Sequence, residues 1–295
     1  MIKRLLLGAA LLCAAQLSLA LSPYTAASKL PAAELSAQLS QVEKKLQAEG
    51  FTILGQHLPK GIAGRASVVV SDPAMLAAIR AGGPSSSIVA AGIRIGIGAD
   101  GSVSYMNPDY WYRAYLRGQF AASQEVVHSV QQRLVKALGE GTGFGGDVPQ
   151  AELSNYRYMF GMERFDSANS ELASYASFDE ALKAVQGNLA KGLGDTRQVY
   201  QVLMADKKMA VFGVAMNSST EGEGWWVNKI GTDHPAALPY ELFIVDNKVY
   251  ALYARYRIAL AWPALGMGQF MTIINAPEAI RNTMVRLATA NAAGQ

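Results

Sequence analysis

One amphipathic helix pattern occurs twice in this chain, and the repetition limits the folds that the chain can adopt. The pattern places apolar residues at i, i+4, i+7 and i+11, which lie on one face of an α-helix. The two sets are Leu35, Leu39, Val42, Leu46 and Phe178, Leu182, Val185, Leu189. A predicted β-hairpin follows each helix, with turns at Asp100-Gly101 and Asp246-Asn247. Repetition at a fixed distance predicts two copies of one folded unit.

The N-terminus has the composition of a secretory signal peptide. Lys3 and Arg4 precede an uncharged apolar stretch, and Ser18-Leu19-Ala20 supplies the small residues expected at a cleavage site. A membrane anchor is the alternative, but the stretch is about 16 residues long and a spanning helix needs roughly 20. We therefore predict a signal peptide at residues 1–20, cleaved after Ala20, and a periplasmic or secreted protein.

Cysteine content and charge exclude several classes of function for the mature chain. The single cysteine, Cys13, lies inside the predicted signal peptide, so no disulfide, thioether haem attachment or cysteine metal site is expected. Without Lys3 and Arg4 the formal charge of +3 becomes +1, and no basic block is present. A nucleic-acid partner is therefore not expected. No later apolar stretch is long enough to span a bilayer, which predicts a soluble protein.

Glycine-rich residues 139–149 divide the chain. This segment contains five glycines, a composition typical of linkers, and we predict a first unit at residues 21–138 and a second at residues 150–295. Ile93, Ile95 and Ile97 alternate with Arg94 and Gly96, the pattern of a half-buried strand. Few parallel β-α-β connections are implied. Each unit should therefore be a mostly antiparallel sheet packed on helices, an α+β fold.

Four segments, in their order along the chain, resemble the domain of unknown function 302 family. They are Val-Val-Val-Ser-Asp-Pro at 68–73, Asn-Pro-Asp-Tyr-Trp at 107–111, Phe-Asp-Glu-Ala-Leu at 178–182 and Leu-Pro-Tyr-Glu-Leu at 238–242. The family occurs singly and in tandem, so the resemblance implies an exported two-copy member. It also implies a β-α-β4-α order in each unit, similar to the TATA-binding-protein fold. It implies no established reaction, and this chain departs from many members because it lacks a cysteine after residue 13.

The motif search gives no support to a known enzyme class. Residues 141–146 fit the G-x-G-x-x-G spelling of dinucleotide sites, but such a site needs a strand before it and a helix after it. A predicted helix precedes these residues and Asp147-Val148-Pro149 follows them, so we interpret them as a linker. Neither a G-x-S-x-G elbow nor an H-x-x-x-H pair occurs. We expect no cofactor and assign no catalytic residue.

Two aromatic segments are the leading candidates for a binding site. Tyrosine and tryptophan combine an apolar body with a hydrogen-bonding tip, and apolar walls with a few polar points are typical of ligand sites. The predicted binding residues are Tyr105, Tyr110, Trp111, Arg113, Tyr115, Trp225, Trp226, His234, Tyr240, Glu241 and Arg257. We predict non-catalytic binding of a small apolar or amphipathic ligand, or of a protein partner. The competing interpretation is that these aromatic side chains are ordinary core and interdomain packing.

Two further hypotheses come from different classes of function. Thioethers suit Cu(I), so the protein would handle copper through Met159, Met162, Met267, Met271 and His234. Methionine is also a common filler of apolar cores, which is the interpretation that we favour for these four. Alternatively, an enzyme would use an acid–base centre at His234, Tyr240 and Glu241, because Asp233 next to His234 favours its charged form. The competing interpretation is a loop histidine beside a turn aspartate.

Overall fold

The computed structural model describes residues 19–83 and 85–289. The predicted signal peptide lies outside these residues except for Leu19 and Ala20, and Cys13 lies outside them entirely. The first half contains β1 (Ala20–Leu21), β2 (Tyr24–Ala26), α1 (Leu35–Ala48), β3 (Thr52–His57), β4 (Arg65–Ser71), α2 (Pro73–Ala81), β5 (Ile93–Gly98), β6 (Val103–Met106), α3 (Pro108–Leu116), α4 (Phe120–Leu138), β7 (Gly143–Phe144) and β8 (Val148–Pro149).

The second half repeats the order of elements seen in the first. It contains β9 (Glu171–Ser174), α5 (Phe178–Ala190), β10 (Thr196–Met204), β11 (Met209–Met216), α6 (Glu223–Ile230), β12 (Tyr240–Val245), β13 (Lys248–Ala251), α7 (Ala254–Ala261), α8 (Met267–Thr272) and α9 (Ala276–Thr289). Short 3-10 segments, Ser86–Ala91 and Pro235–Ala237, precede the corresponding strands β5 and β12.

Both main sheets are antiparallel, and their strands lie in corresponding order. The first sheet has the order β3-β4-β5-β6-β2-β7, and the second has the order β10-β11-β12-β13-β9. In each, the strand that precedes the long helix lies beside the last strand of the hairpin. The predicted α+β class, with antiparallel sheets packed on helices, is confirmed, and the matching orders are consistent with the predicted doubling.

The long helices form where the apolar stripes predict them. In α1, Leu39, Val42 and Leu46 are buried, and full burial of each such side chain contributes roughly 1.5–3 kcal/mol. Helix α5 begins at a cap, because the Ser177 hydroxyl accepts a hydrogen bond from the Glu180 amide at 3.2 Å. Its buried face differs slightly from the predicted one, since Leu182 is only half-buried.

The predicted linker, residues 139–149, contains two short strands, of which β7 joins the first sheet and β8 forms a separate two-stranded sheet with β1. Strand β7 pairs with β2, and β8 pairs with β1 through Ala20 and Leu21. The predicted cleavage point after Ala20 therefore lies within β1. At Gly141 the backbone approach is so close that a Cβ atom would lie 1.9 Å from the Ala26 carbonyl oxygen. The glycines here allow the backbones to approach closely. A glycine-rich composition alone does not show whether a segment pairs closely in this way or forms a flexible linker.

The two halves exchange corresponding contacts across their junction. Segment Ser86–Ala91 contacts β11 and β12 of the second half, and Pro235–Ala237 contacts β4, β5 and β6 of the first. At Gly96 in β5, a Cβ atom would lie 2.6 Å from the Pro235 ring, so only glycine permits this approach. The buried apolar residues of both halves form one continuous core, and the halves are therefore packed together as one body.

Candidate functional site

Most of the predicted binding residues lie at the junction between the halves, where they are buried. Helix α3 supplies Tyr110, Trp111 and Tyr115, α6 supplies Trp226, β12 supplies Tyr240 and Glu241, and α7 supplies Arg257. Each of these residues is at most 2% exposed. The aromatic residues therefore form interior packing between the halves, as the competing interpretation expected.

A buried arginine–glutamate–arginine triad lies at the centre of this junction. Glu241 accepts hydrogen bonds from Arg94 of β5 and from Nε of Arg257, the latter at 3.1 Å. Both guanidinium groups lie over Trp111, with Cζ 4.7 Å and 4.9 Å from the ring centroid, a favourable cation–π distance. Arg94 also donates to the carbonyl of Ala236 at 2.9 Å. The triad therefore joins the two halves through a charged interaction in the core.

Arg94 was not among the predicted site residues, because the alternation in β5 predicted that its side chain faces solvent. The structure shows β5 buried on both faces, since segment Pro235–Ala237 of the second half covers the face that carries Arg94 and Gly96. A half-buried pattern within one unit cannot show that another unit covers its polar face. Gly96 was the available signal, because a glycine within a strand often marks a close approach of another backbone.

Three of the predicted residues lie away from the triad. Arg113 pairs with Asp109 on the same helix at 3.1 Å, and the Tyr105 hydroxyl faces the carbonyl of Gly139 at 3.4 Å. Trp225 is half-buried, with the Lys229 amine 4.2 Å from its ring centroid. These side chains therefore have local partners and do not join one common pocket.

His234 lies among aromatic rings. Its ring centroid is 5.0 Å from that of Tyr24, 5.5 Å from Phe144 and 5.8 Å from Trp262. Burial lowers the pKa of His234 to about 4, and the nearby Asp233 carboxylate opposes this shift only in part. The imidazole is therefore neutral at pH 7. In the part of the chain that the structure describes, no hydrogen bond joins it to Tyr240 or Glu241, so the hypothesised acid–base centre is not assembled.

An apolar cavity of about 190 Å³ lies on the outer side of α7, away from the triad. We call it the methionine cavity. Its lining residues are Tyr158, Met162, Arg255, Ile258, Ala259, Leu265, Met267, Phe270, Met271 and Ile274. Helix α8 covers it, and none of the residues of this helix is buried. The cavity therefore lies at the surface, beneath a short helix whose Phe270 packs against the core.

The four methionines of the copper hypothesis are not core residues, contrary to the interpretation that we favoured, although Met159 does not line the cavity. Met159, Met267 and Met271 are 46%, 46% and 57% exposed, and Met162, Met267 and Met271 line the cavity together. The i, i+4 spacing of Met267 and Met271 does reflect a helix, but that helix lies over the cavity and not within the core. The spacing of residues predicts which side chains share a helix face. It does not predict whether that face packs in the core or lies over a cavity.

The cavity wall carries one cationic side chain. Arg255 donates a hydrogen bond from Nη2 to Glu163, while its buried Nε has no acceptor among the described residues. Arg255 is thus the charged residue of an otherwise apolar lining, and a few polar points of this kind are typical of ligand sites.

A second buried polar contact between the halves had no signal in the sequence. His57 at the end of β3 and Glu223 in the first turn of α6 are both fully buried, with Nε2 and Oε2 2.7 Å apart. The pair joins the two halves at a second point. The sequence separates these residues widely, and neither lies in a motif, so no local signal identified the pair.

No family model matches this chain, and no curated protein is significantly similar to it. Within residues 19–83 and 85–289, no group of three or more histidine, cysteine, aspartate or glutamate residues is arranged to hold a metal ion. None of the helices in these ranges has the length and apolar composition needed to cross a bilayer.

Proposed function

We propose that this chain is an exported, non-catalytic protein that binds a small apolar or amphipathic molecule in the methionine cavity. The observation that carries the proposal is the apolar lining of this cavity, which includes residues of α7 and α8. The matching order of elements in the two halves supports the tandem arrangement that the resemblance to the domain of unknown function 302 family implies. N-terminal sequencing of protein recovered from an expressing cell tests the export. Mature protein that begins at Leu21 is expected, and a retained Met1 would contradict it.

The size of the cavity restricts the ligand. Engineered apolar cavities of about 150 Å³ hold benzene, so a volume of about 190 Å³ accommodates one aromatic ring or a short acyl chain. Methionine side chains adapt to irregular shapes, which favours ligands of varied shape over a single rigid one. A larger cavity of about 360 Å³ is lined by Arg117, Arg164 and Asp166 among others. Its lining combines these charged residues with Tyr156 and Phe165, so it is less apolar than the methionine cavity.

The position of Arg255 favours ligands with an anionic or hydrogen-bond-accepting end. Arg255 lines the cavity, its side chain is 40% exposed, and Glu163 accepts a hydrogen bond from one of its amino groups, Nη2. A hydrogen bond from a charged donor contributes about 1.5–3 kcal/mol, which corresponds to at least a tenfold difference in affinity. A short carboxylate should therefore bind more tightly than the alcohol of equal chain length.

Calorimetric titration with hexanoate, hexanol, benzoate and toluene tests the proposal. We expect saturable binding to the wild-type protein and its loss in Ala259→Phe, since the larger side chain fills the cavity. Arg255→Gln should lower the affinity for hexanoate about tenfold and leave that for hexanol nearly unchanged. The matched control is Ala122→Phe on the exposed face of α4, which should bind as the wild type does. Equal binding by Ala259→Phe and Ala122→Phe would refute the assignment of the cavity.

Copper binding is the second candidate function, because three thioethers line this one cavity. His234 of the original hypothesis is not among the lining residues. Substitution of Met162, Met267 and Met271 by leucine keeps the apolar volume and removes the sulfur ligands. Equilibrium dialysis with Cu(I) under a reductant should then show stoichiometric binding in the wild type only, while hexanol binds both proteins. Wild-type protein that retains no Cu(I) eliminates this candidate and leaves the first intact.

A further inference from the structure

The larger cavity, of about 360 Å³, lies between the end of α3 and the segment that connects the two halves. We call it the arginine cavity. Its lining residues are Arg117, Gly118, Ser154, Asn155, Tyr156, Arg164, Phe165 and Asp166. The two aromatic residues are buried, whereas Arg117 is half-buried and Arg164 is exposed. Fixed aromatic rings and accessible cationic groups therefore line one space at the surface.

The backbone of Arg117 has a conformation that residues other than glycine rarely adopt. Its φ is 51° and its ψ is −118°, so it lies outside the left-handed helical region, where ψ is about 30–60°. Such conformations persist only where the surrounding structure imposes them, and they are concentrated at ligand sites and switches. Glycine would adopt this conformation without strain. What the chain gains from arginine at this position must therefore come from its side chain.

The guanidinium group of Arg117 is held in place by its neighbours. Its Cζ lies 3.8 Å from the ring centroid of Phe165, and Phe165 itself packs edge-on against Tyr115 and Tyr256. Nη1 of Arg117 donates a hydrogen bond to the carbonyl of Tyr115 at 3.3 Å. An arginine side chain carries five N–H donors, so most of those of Arg117 remain for another acceptor. Burial lowers the pKa of Arg117, because the charged form loses hydration that its neighbours replace only in part.

Positive charge exceeds negative charge along the lining of the arginine cavity. Arg117 and Arg164 are accompanied there by one carboxylate, that of Asp166. Among the residues that the structure describes, neither arginine forms a salt bridge with any carboxylate. The planar fork of donors in arginine matches the oxygens of phosphate and carboxylate groups. The lining therefore favours a ligand with an oxyanion group.

We propose that the arginine cavity binds a small molecule through an oxyanion group, a phosphate or a carboxylate, that Arg117 and Arg164 hold. An apolar cavity of about 150 Å³ holds benzene, so a volume of about 360 Å³ accommodates the oxyanion group and an attached body of about one ring. The arginine cavity and the methionine cavity share no lining residue. This site is therefore independent of the apolar ligand proposed above.

Calorimetric titration of the full chain with phenyl phosphate and with benzoate, at fixed ionic strength, tests the proposal. We expect saturable binding of at least one probe, and the tighter probe identifies the preferred oxyanion. Arg117→Gly should weaken this binding about tenfold or more, because it removes a charged donor. The variant should unfold at no lower a temperature than the wild type, since glycine adopts the backbone conformation of residue 117 freely. The matched control is Arg286→Gln, which removes a 47% exposed arginine outside the cavity lining and should leave the binding unchanged.

A substitution at Gly118 separates a defined site from a general attraction of anions to arginine. A Cβ atom at Gly118 would meet no atom within 4 Å, so a larger side chain fits there without disturbing the fold. Gly118→Trp should fill the cavity and abolish the binding although both arginines remain, and Ala37→Trp on the exposed face of α1 should bind as the wild type does.

Three results would overturn the proposal. The first is a wild-type protein that binds neither probe. The second is equal binding by Gly118→Trp and Ala37→Trp, or by Arg117→Gly and the wild type. The third is binding that Arg255→Gln weakens and Arg117→Gly does not, because the ligand then occupies the methionine cavity.

Discussion

Replacement of Glu241 by glutamine is the most direct test of the junction between the halves. The substitution keeps the shape of the side chain and removes its charge. Glu241 is 2% exposed and accepts hydrogen bonds from both Arg94 and Arg257. The neutral amide therefore leaves two guanidinium groups in the core without a carboxylate. We expect Glu241→Gln to destabilise the whole chain and not only one half, because the core is continuous.

The magnitude follows from the burial of the triad. Loss of one partner from a buried ion pair costs about 3–5 kcal/mol. For a chain of this size each kcal/mol lowers the midpoint temperature by about 2–4 °C, so the expected decrease is roughly 6–20 °C. Thermal unfolding followed by far-UV circular dichroism at fixed salt measures it. The control is Glu221→Gln, since Glu221 and its partner Arg286 are 48% and 47% exposed, and exposed pairs contribute about 0–1 kcal/mol.

A third variant identifies the source of the loss. Substitution of Arg94 and Arg257 by methionine together with Glu241→Leu removes all three charges and keeps apolar volume in their place. Such replacements of buried ion pairs are often neutral or stabilise by about 1–4 kcal/mol. We therefore expect this triple variant to unfold at a higher temperature than Glu241→Gln. Equal midpoints for Glu241→Gln and Glu221→Gln would refute the argument that an uncompensated charge is buried at the junction.

Three smaller perturbations are predicted with their controls. Lys208→Gly should stabilise the chain by about 0.5–1 kcal/mol in urea unfolding, because Lys208 has a φ of 50° and glycine adopts this conformation freely. The control is the neighbouring Lys207→Gly, which should not stabilise the chain. Asp72→Ala should cost about 1 kcal/mol more than Asp72→Asn, because asparagine still accepts the hydrogen bond from the Met75 amide that caps α2. Burial lowers the pKa of His234 to about 4, so the unfolded chain binds this proton first and stability should fall as pH decreases from about 6.5 to 4. His234→Phe should reduce this dependence of stability on pH, and the control His128→Phe on the exposed face of α4 should not. Identical pH profiles for the two variants would contradict the packing of His234 among aromatic rings.

The local features of the fold were predictable because they depend on residues near one another in sequence. Helices α1 and α5 lie where the apolar stripes place them, and both hairpins turn where Asp100-Gly101 and Asp246-Asn247 predict. The α+β class followed from the order of these elements. Each of these features is encoded in a short stretch of the chain, where the periodicity of apolar residues and the turn residues leave few alternatives.

The junction and the cavity were not predictable from the same signals. Arg94 follows the alternation of an exposed face, and it is buried only because the second half covers that face. Tyr200 lies in β10 and gave no motif, yet its hydroxyl lies against Gly92 of the first half, where a Cβ atom would be 2.8 Å away from it. The methionines line a cavity because α8 lies outside the core. All three outcomes depend on contacts between distant parts of the chain, which periodicity within one element does not report.

Residues at corresponding positions of the two halves contact each other at the junction. Arg94 and Glu241 are each the second residue of their strands, β5 and β12, while Trp111 and Arg257 are each the fourth residue of their helices, α3 and α7. Two identical copies of the first half, associated in this way, would oppose arginine to arginine. In this chain the two halves instead carry unlike residues at these positions, so arginine faces glutamate. As separate polypeptides, the halves should accordingly favour heterotypic association, with self-pairing of the first half disfavoured by like charge.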